Sequence, residues 1–145
     1  MARYRTEQPF AGPPAVVFDY LANFESVAQW DPGVSEATRL DEGPVAVGSR
    51  FRVVVKTGPL VYEVTELDPG RRIRLVAQSS TVRSDDVITV LPVEGGATVS
   101  YDADLTLRGW AVVMAPFLPL VFSRIGDKAA AGLRAKLDEL AASAV

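Results

Sequence analysis

Neither cysteine nor histidine occurs among the 145 residues, and each absence closes off chemistry. Without cysteine there is no disulfide and no thiolate nucleophile, and without either residue the usual zinc ligand set is missing. The commonest general base at neutral pH goes with histidine. Any enzymatic reading must rest on carboxylates, tyrosines or arginines, with no metal and no cofactor expected. Lysine is scarce as well: the basic residues are 12 Arg and 3 Lys, against 18 acidic residues for a net charge of −3. They are spread along the chain without a concentrated basic face, so nucleic acid is not an expected partner. Long apolar runs are also missing. The most apolar stretch, 110–122, is about 13 residues long with two prolines, short of the ~20 needed to span a bilayer. It is expected to be buried core, with no stable membrane insertion. The start, Met1-Ala2-Arg3-Tyr4-Arg5, lacks the apolar stretch of a signal peptide, so a cytoplasmic location is expected.

What is present is ordinary globular composition, 48% hydrophobic and 23% charged. A chain of this length buries roughly 68–70% of its unfolded surface, enough for one sizeable core. A single domain over 1–145 is expected, as a monomer or weak homodimer. Residues 2–10 alternate loosely and read as an edge strand. From Pro14 to Ala22 the apolar residues Val17, Phe18 and Leu21 make a helical stripe, with prolines tolerated at its start. Asn23 can cap a second short helix carrying Phe24, Val27 and Trp30, which must stop near Asp31 because the residue before Pro32 disfavours helical geometry.

Beyond Gly33 the chain is strand-like, with turn signals at 42–44, 58–59, 68–70, 79–80 and 94–96. Six runs lie between them, near 35–41, 46–57, 60–67, 71–78, 84–92 and 97–108, joined too tightly for parallel crossovers. Alternation separates a dry face, Phe51, Val53 and Val55, from a wet one, Arg50, Arg52 and Lys56. Val99, Tyr101, Ala103, Leu105 and Leu107 repeat this in the last run. Tyr62, Val64, Ile73, Leu75 and Ala77 extend the dry face between them. Only one long helical pattern remains to cover it, about 116–142, with Leu118, Phe122, Ile125, Ala129, Leu133, Leu137 and Leu140 as its apolar stripe.

The element order and three local patterns resemble a known superfamily. Val17-Phe18-Asp19-Tyr20-Leu21-Ala22-Asn23-Phe24-Glu25 with Trp30-Asp31-Pro32 is similar to the opening signature of its polyketide cyclase/dehydrase-like branch. The stretches 43–51 and 62–69 resemble two further signatures. This resemblance, to the START-like (SRPBCC) helix-grip proteins, covers essentially the whole chain. It implies an α+β fold in which a seven-stranded antiparallel sheet wraps a long C-terminal helix, with two short helices after the first strand. It also implies an internal cavity for a small hydrophobic molecule such as a lipid, isoprenoid or polyketide. It does not imply an activity, because fold alone does not fix function.

The residues expected to line that cavity are Trp30, Phe51, Val53, Tyr62, Val64, Leu75, Tyr101, Ala103, Leu105 and Phe122. Trp30 could stack on a ligand or simply plug the end of the core. Tyr62 and Tyr101 are the best polar candidates, since a buried hydroxyl seeks a partner. Gly43 to Gly48 lacks any phosphate-loop pattern and joins two strands. Asp85 and Asp86 cannot act as a dyad, because adjacent strand residues face opposite sides. Parity leaves open which of them turns inward, and Glu66 shares the parity of Tyr62 and Val64. Two classes therefore stay open: a carrier of an apolar ligand, and a cofactor-independent cyclase or dehydratase. The carrier ranks higher because no acid–base pair is visible; an inward carboxylate of raised pKa beside a tyrosine would favour the enzyme.

Overall fold

The computed structural model describes residues 2–143. Strand β1 (Ala2–Phe10) is followed by α1 (Pro14–Ala22), a 3-10 turn at Phe24–Ser26 and the short α2 (Val27–Trp30). A meander follows, of β2 (Val34–Arg39), β3 (Arg50–Val55), β4 (Gly58–Asp68), β5 (Arg72–Gln78), β6 (Val82–Val93) and β7 (Gly96–Leu107). The chain ends in 3-10 turns over Gly109–Phe117 and the long helix α3 (Leu118–Ser143). All seven strands form one antiparallel sheet in the order β1-β7-β6-β5-β4-β3-β2. This is the α+β helix-grip arrangement, a curled sheet with a long C-terminal helix and two short helices after the first strand.

Local chemistry explains most boundaries. Pro14 opens α1, whose Val17, Phe18, Leu21 and Ala22 turn into the core. Asn23 does not cap the next helix through its side chain. Instead its carbonyl accepts the Ser26 N–H at 2.9 Å, because the segment begins as a 3-10 turn whose i→i+3 bonds satisfy the backbone directly. The run expected from 46 begins as a strand only at Arg50. Residues 46–49 turn instead: Gly48 takes φ +96, and the Ser49 N–H donates to the Ala46 carbonyl at 2.9 Å. A positive φ of that size suits only glycine comfortably.

The dry face is buried across the sheet. Phe51, Val64, Ile73, Leu75, Ile88, Val90 and Val99 are all fully inaccessible, and Leu133 and Leu137 of α3 close over them. Two glycines set how closely α3 can lie. A Cβ on Gly132 would sit 1.9 Å from the Trp30 carbonyl oxygen, and one on Gly126 would sit 2.3 Å from the Tyr4 ring. The helix thus crosses α2 and β1 at distances open only to residues without a side chain.

The apolar stretch 110–122 is not the buried core its composition predicts. Trp110 is 78% exposed, Val113 71%, Leu120 67% and Phe117 61%. Ile125, expected in the buried stripe of α3, is also exposed. Burial along α3 falls at Leu118, Gly126, Leu133 and Leu137, whereas in the segment leading into it only Ala111 is buried.

Candidate functional site

Strand β6 supplies an unusual group to the dry face. Its inward residues are Ser84, Asp86, Ile88 and Val90, opposite Leu105, Ala103, Tyr101 and Val99 of β7. Asp86 is therefore the acid that turns inward, and it is only 4% exposed. Its Oδ2 accepts a short hydrogen bond from the Tyr101 hydroxyl, and its Oδ1 accepts one from Ser84 Oγ at 2.7 Å. Burial pushes the Asp86 carboxyl up to about 6, although both hydrogen bonds pull the other way. Charge is disfavoured in a dry wall more than two neutral donors can offset.

The surrounding groups share that wall. Tyr62 and Tyr101 have hydroxyls raised well above their ordinary value, first by burial and then by the negative charge of Asp86. The Trp30 ring stands edge-on to Tyr101, with centroids 5.4 Å apart. Its indole Nε1 is buried and has no hydrogen-bond partner among the described residues. Asp31, next in the chain, accepts the Gly33 N–H on its Oδ1 at 2.8 Å, and burial raises its carboxyl above the ordinary value. Trp30, Tyr62, Ser84, Asp86 and Tyr101 thus bring polar groups into an otherwise apolar wall.

Asp85, by contrast, faces outward and is bound by Arg74 at 2.5 Å and by Arg83, which hold its carboxyl below its usual value, Arg74 foremost. Glu66 is also outside, paired with Arg74 at 2.7 Å and Arg72 at 2.9 Å. Simple parity misplaces it because the β4–β5 register shifts between Val64 and Glu66. Such a bulge inserts one residue and flips every later side chain to the opposite face; Leu67 takes the inward place.

The ten residues expected at the cavity divide into two groups. Trp30, Phe51, Val53, Tyr62, Val64 and Leu75 are packed closed, none more than 7% exposed. Tyr101, Ala103, Leu105 and Phe122 are half-buried. The last of these lies one turn before Gly126, on the helix face that meets Tyr4. Two surface grooves, of about 320 and 250 Å³, lie elsewhere. One lies between α1 and the β4–β5 turn, beside Phe18, Val45 and Leu67. The other is on the outer face, beside Arg5, Val87 and Asp102. Neither includes any of the ten. Among the described residues no three acidic side chains converge into a metal-binding cluster.

Sequence reasoning missed Ser84 and Asp31. Ser84 shares the parity of Asp86 and would have been visible once the inward acid was known. Asp31 sits in a turn, where alternation carries no information.

Residues 1–138 match the model of a protein family described as polyketide cyclase / dehydrase and lipid transport. The chain belongs to this family. Solved structures with the same fold include a START superfamily protein from Mycobacterium smegmatis, 14% identical with TM-score 0.77, covering 97% of this chain and 99% of that one. The Zhui aromatase/cyclase from Streptomyces sp. R1128 is 15% identical with TM-score 0.75, over 94% of this chain and 93% of that one. The di-domain aromatase/cyclase StfQ of the steffimycin biosynthetic pathway is 16% identical with TM-score 0.68, and this chain covers 52% of it. At such identities the likeness is one of fold. The comparison with curated proteins finds no match. The description of the family spans cyclase, dehydrase and lipid-transport roles, and Asp86 and Tyr101 are among the inward polar groups of this chain.

Proposed function

We propose that this chain binds a small, mainly apolar molecule against the half-open part of its concave face, and that the Asp86–Tyr101 pair exchanges a proton with the oxygen-bearing end of that molecule. The observation that carries this reading is Asp86 itself: buried, facing inward and hydrogen-bonded to a tyrosine, with burial pushing its carboxyl up to about 6. An acid with a pKa near the working pH can both give and take a proton, as general acid–base chemistry needs. The unpartnered Trp30 N–H adds a donor for a carbonyl or hydroxyl oxygen. Half-buried Ala103, Leu105 and Phe122 supply the apolar wall beside it. The reaction class is cyclisation or dehydration of a polyketide-like compound, which needs proton transfers and no redox partner.

A second reading, an inert carrier of the same kind of molecule, is favoured by one observation. Both Asp86 oxygens already accept bonds from Ser84 and Tyr101, which would satisfy the acid without any reaction. Native mass spectrometry of wild type and Asp86→Asn purified from the natural host separates the two. Under the acid–base reading the variant retains a molecule that wild type converts, so the bound masses differ by the change of a reaction, such as loss of water. Identical masses in both proteins indicate a carrier, and no bound molecule in either contradicts both readings.

A further inference from the structure

The stretch 109–123 holds no charged residue for 15 positions, yet it is the most exposed apolar surface on the molecule. Trp110, Val112, Val113, Met114, Phe117, Leu120, Val121 and Ile125 are each between 48% and 78% exposed. Soluble monomers seldom leave so many large apolar side chains together in water. Charge is distributed around the patch unevenly. Arg108 stands at one end, Arg124 and Lys128 at the other, and Asp127 is the single acid, so that 105–128 carries +2 in a chain of net charge −3. Gly109 lies against the Ser80 carbonyl and Ile125 against Gly33, so the patch sits at the end of the sheet where the β5–β6 turn and the start of β2 also emerge.

We infer that this segment docks the protein on the surface of an anionic lipid bilayer, with Trp110, Val113, Phe117 and Leu120 set among the acyl chains near the headgroups and Arg108, Arg124 and Lys128 facing the phosphates. By length and composition the helical stretch Gly109–Ser143 could cross a membrane. Its charge-free part, however, is 15 residues with Pro116 and Pro119, short of the ~20 a span requires, so it lies on the bilayer rather than through it. Charge decides between a membrane and a second copy of the chain. A symmetric pairing of this patch with itself brings basic rim against basic rim, whereas anionic headgroups complement it. The inference does not depend on what occupies the concave face.

The test is co-sedimentation with vesicles of phosphatidylcholine containing phosphatidylglycerol, and with phosphatidylcholine alone, together with tryptophan fluorescence and analytical ultracentrifugation. Wild type is expected to bind the anionic vesicles with a blue-shifted emission, more weakly at high salt and on the neutral vesicles. Phe117→Ser/Leu120→Ser is expected to lower the affinity by about tenfold or more, since two apolar side chains no longer leave water. Both positions are exposed, so the melting temperature should hold, and Trp110→Phe should remove the blue shift. The inference is overturned if wild type ignores both kinds of vesicle, if the double variant binds as well as wild type, or if the patch is instead covered in a dimer that fails to bind lipid.

Discussion

Asp86 is a carboxyl buried on the dry face, where its charge is disfavoured. Burial pushes its carboxyl up to about 6 in the folded protein, above the value of ~3.9 for an unfolded chain. The folded state therefore holds a proton that the unfolded state has released between about pH 4 and pH 6, so stability falls as pH rises through that window. The loss amounts to about 3 kcal/mol at most. Asp86→Asn is expected to remove this dependence, leaving the variant as stable as wild type near pH 4 and more stable at pH 8. Its amide oxygen can still accept from Tyr101, and its NH₂ can donate to Ser84. Thermal melts across that range check the point, and a variant less stable than wild type at pH 8 would contradict it. Tyr101→Phe acts in the opposite sense. It leaves Asp86 Oδ2 buried without its donor, so a loss of ~1–3 kcal/mol is expected at pH 8, shrinking at pH 4 where the acid is neutral. If the loss measured by melts is the same at both pH values, the tyrosine serves packing alone.

At the scale of elements, helix α3 offers a test in which propensity and packing disagree. Replacing a mid-helix glycine by alanine ordinarily stabilises by ~1 kcal/mol. At Gly132 the new Cβ would meet the Trp30 carbonyl at 1.9 Å, so Gly132→Ala is expected instead to destabilise by about 1–3 kcal/mol, as read by urea unfolding. A stabilised variant would mean that α3 lies further from α2 than described. The same helix shows what the sequence could reveal. Its existence, its length and the burial of Leu118, Leu133 and Leu137 follow from 3–4 spacing alone, and the meander follows from alternation and turn residues. Ile125 and most of the stretch 110–122 are exposed against expectation because periodicity marks an apolar face without saying whether another element reaches it. Parity alone leaves the side of Glu66 open, because the bulge between Val64 and Glu66 shifts register without any residue that announces it. The inward acid stayed open since both parities of β6 carry apolar residues, Ile88 and Val90 on one side, Val87 and Leu91 on the other. Only the pairing with β7 decides between them.

Across the whole molecule two kinds of apolar surface coexist, one enclosed by the sheet and one exposed beside it, and ionic strength should distinguish them. Binding of a naphthalene or fatty-acid probe on the concave face is expected to change little with salt, because burial of apolar surface drives it. A steep loss of probe affinity with salt would instead indicate an anionic partner there. The concave face itself changes character along β7: Val99 is fully buried, while Tyr101, Ala103, Leu105 and Leu107 are half-buried. Ala103 sits opposite Asp86 on one side and Tyr4 on the other, a small residue beside the polar groups. In a filled core, Ala103→Leu would cost about 1–3 kcal/mol. Where a ligand binds, the added atoms occupy the ligand's space instead. Probe titration of Ala103→Leu, with its melting temperature measured alongside, is thus the most direct measurement. The expected result is an unchanged or raised melting temperature with a marked fall in probe affinity. A lowered melting temperature with probe affinity unchanged would contradict a ligand site on this face.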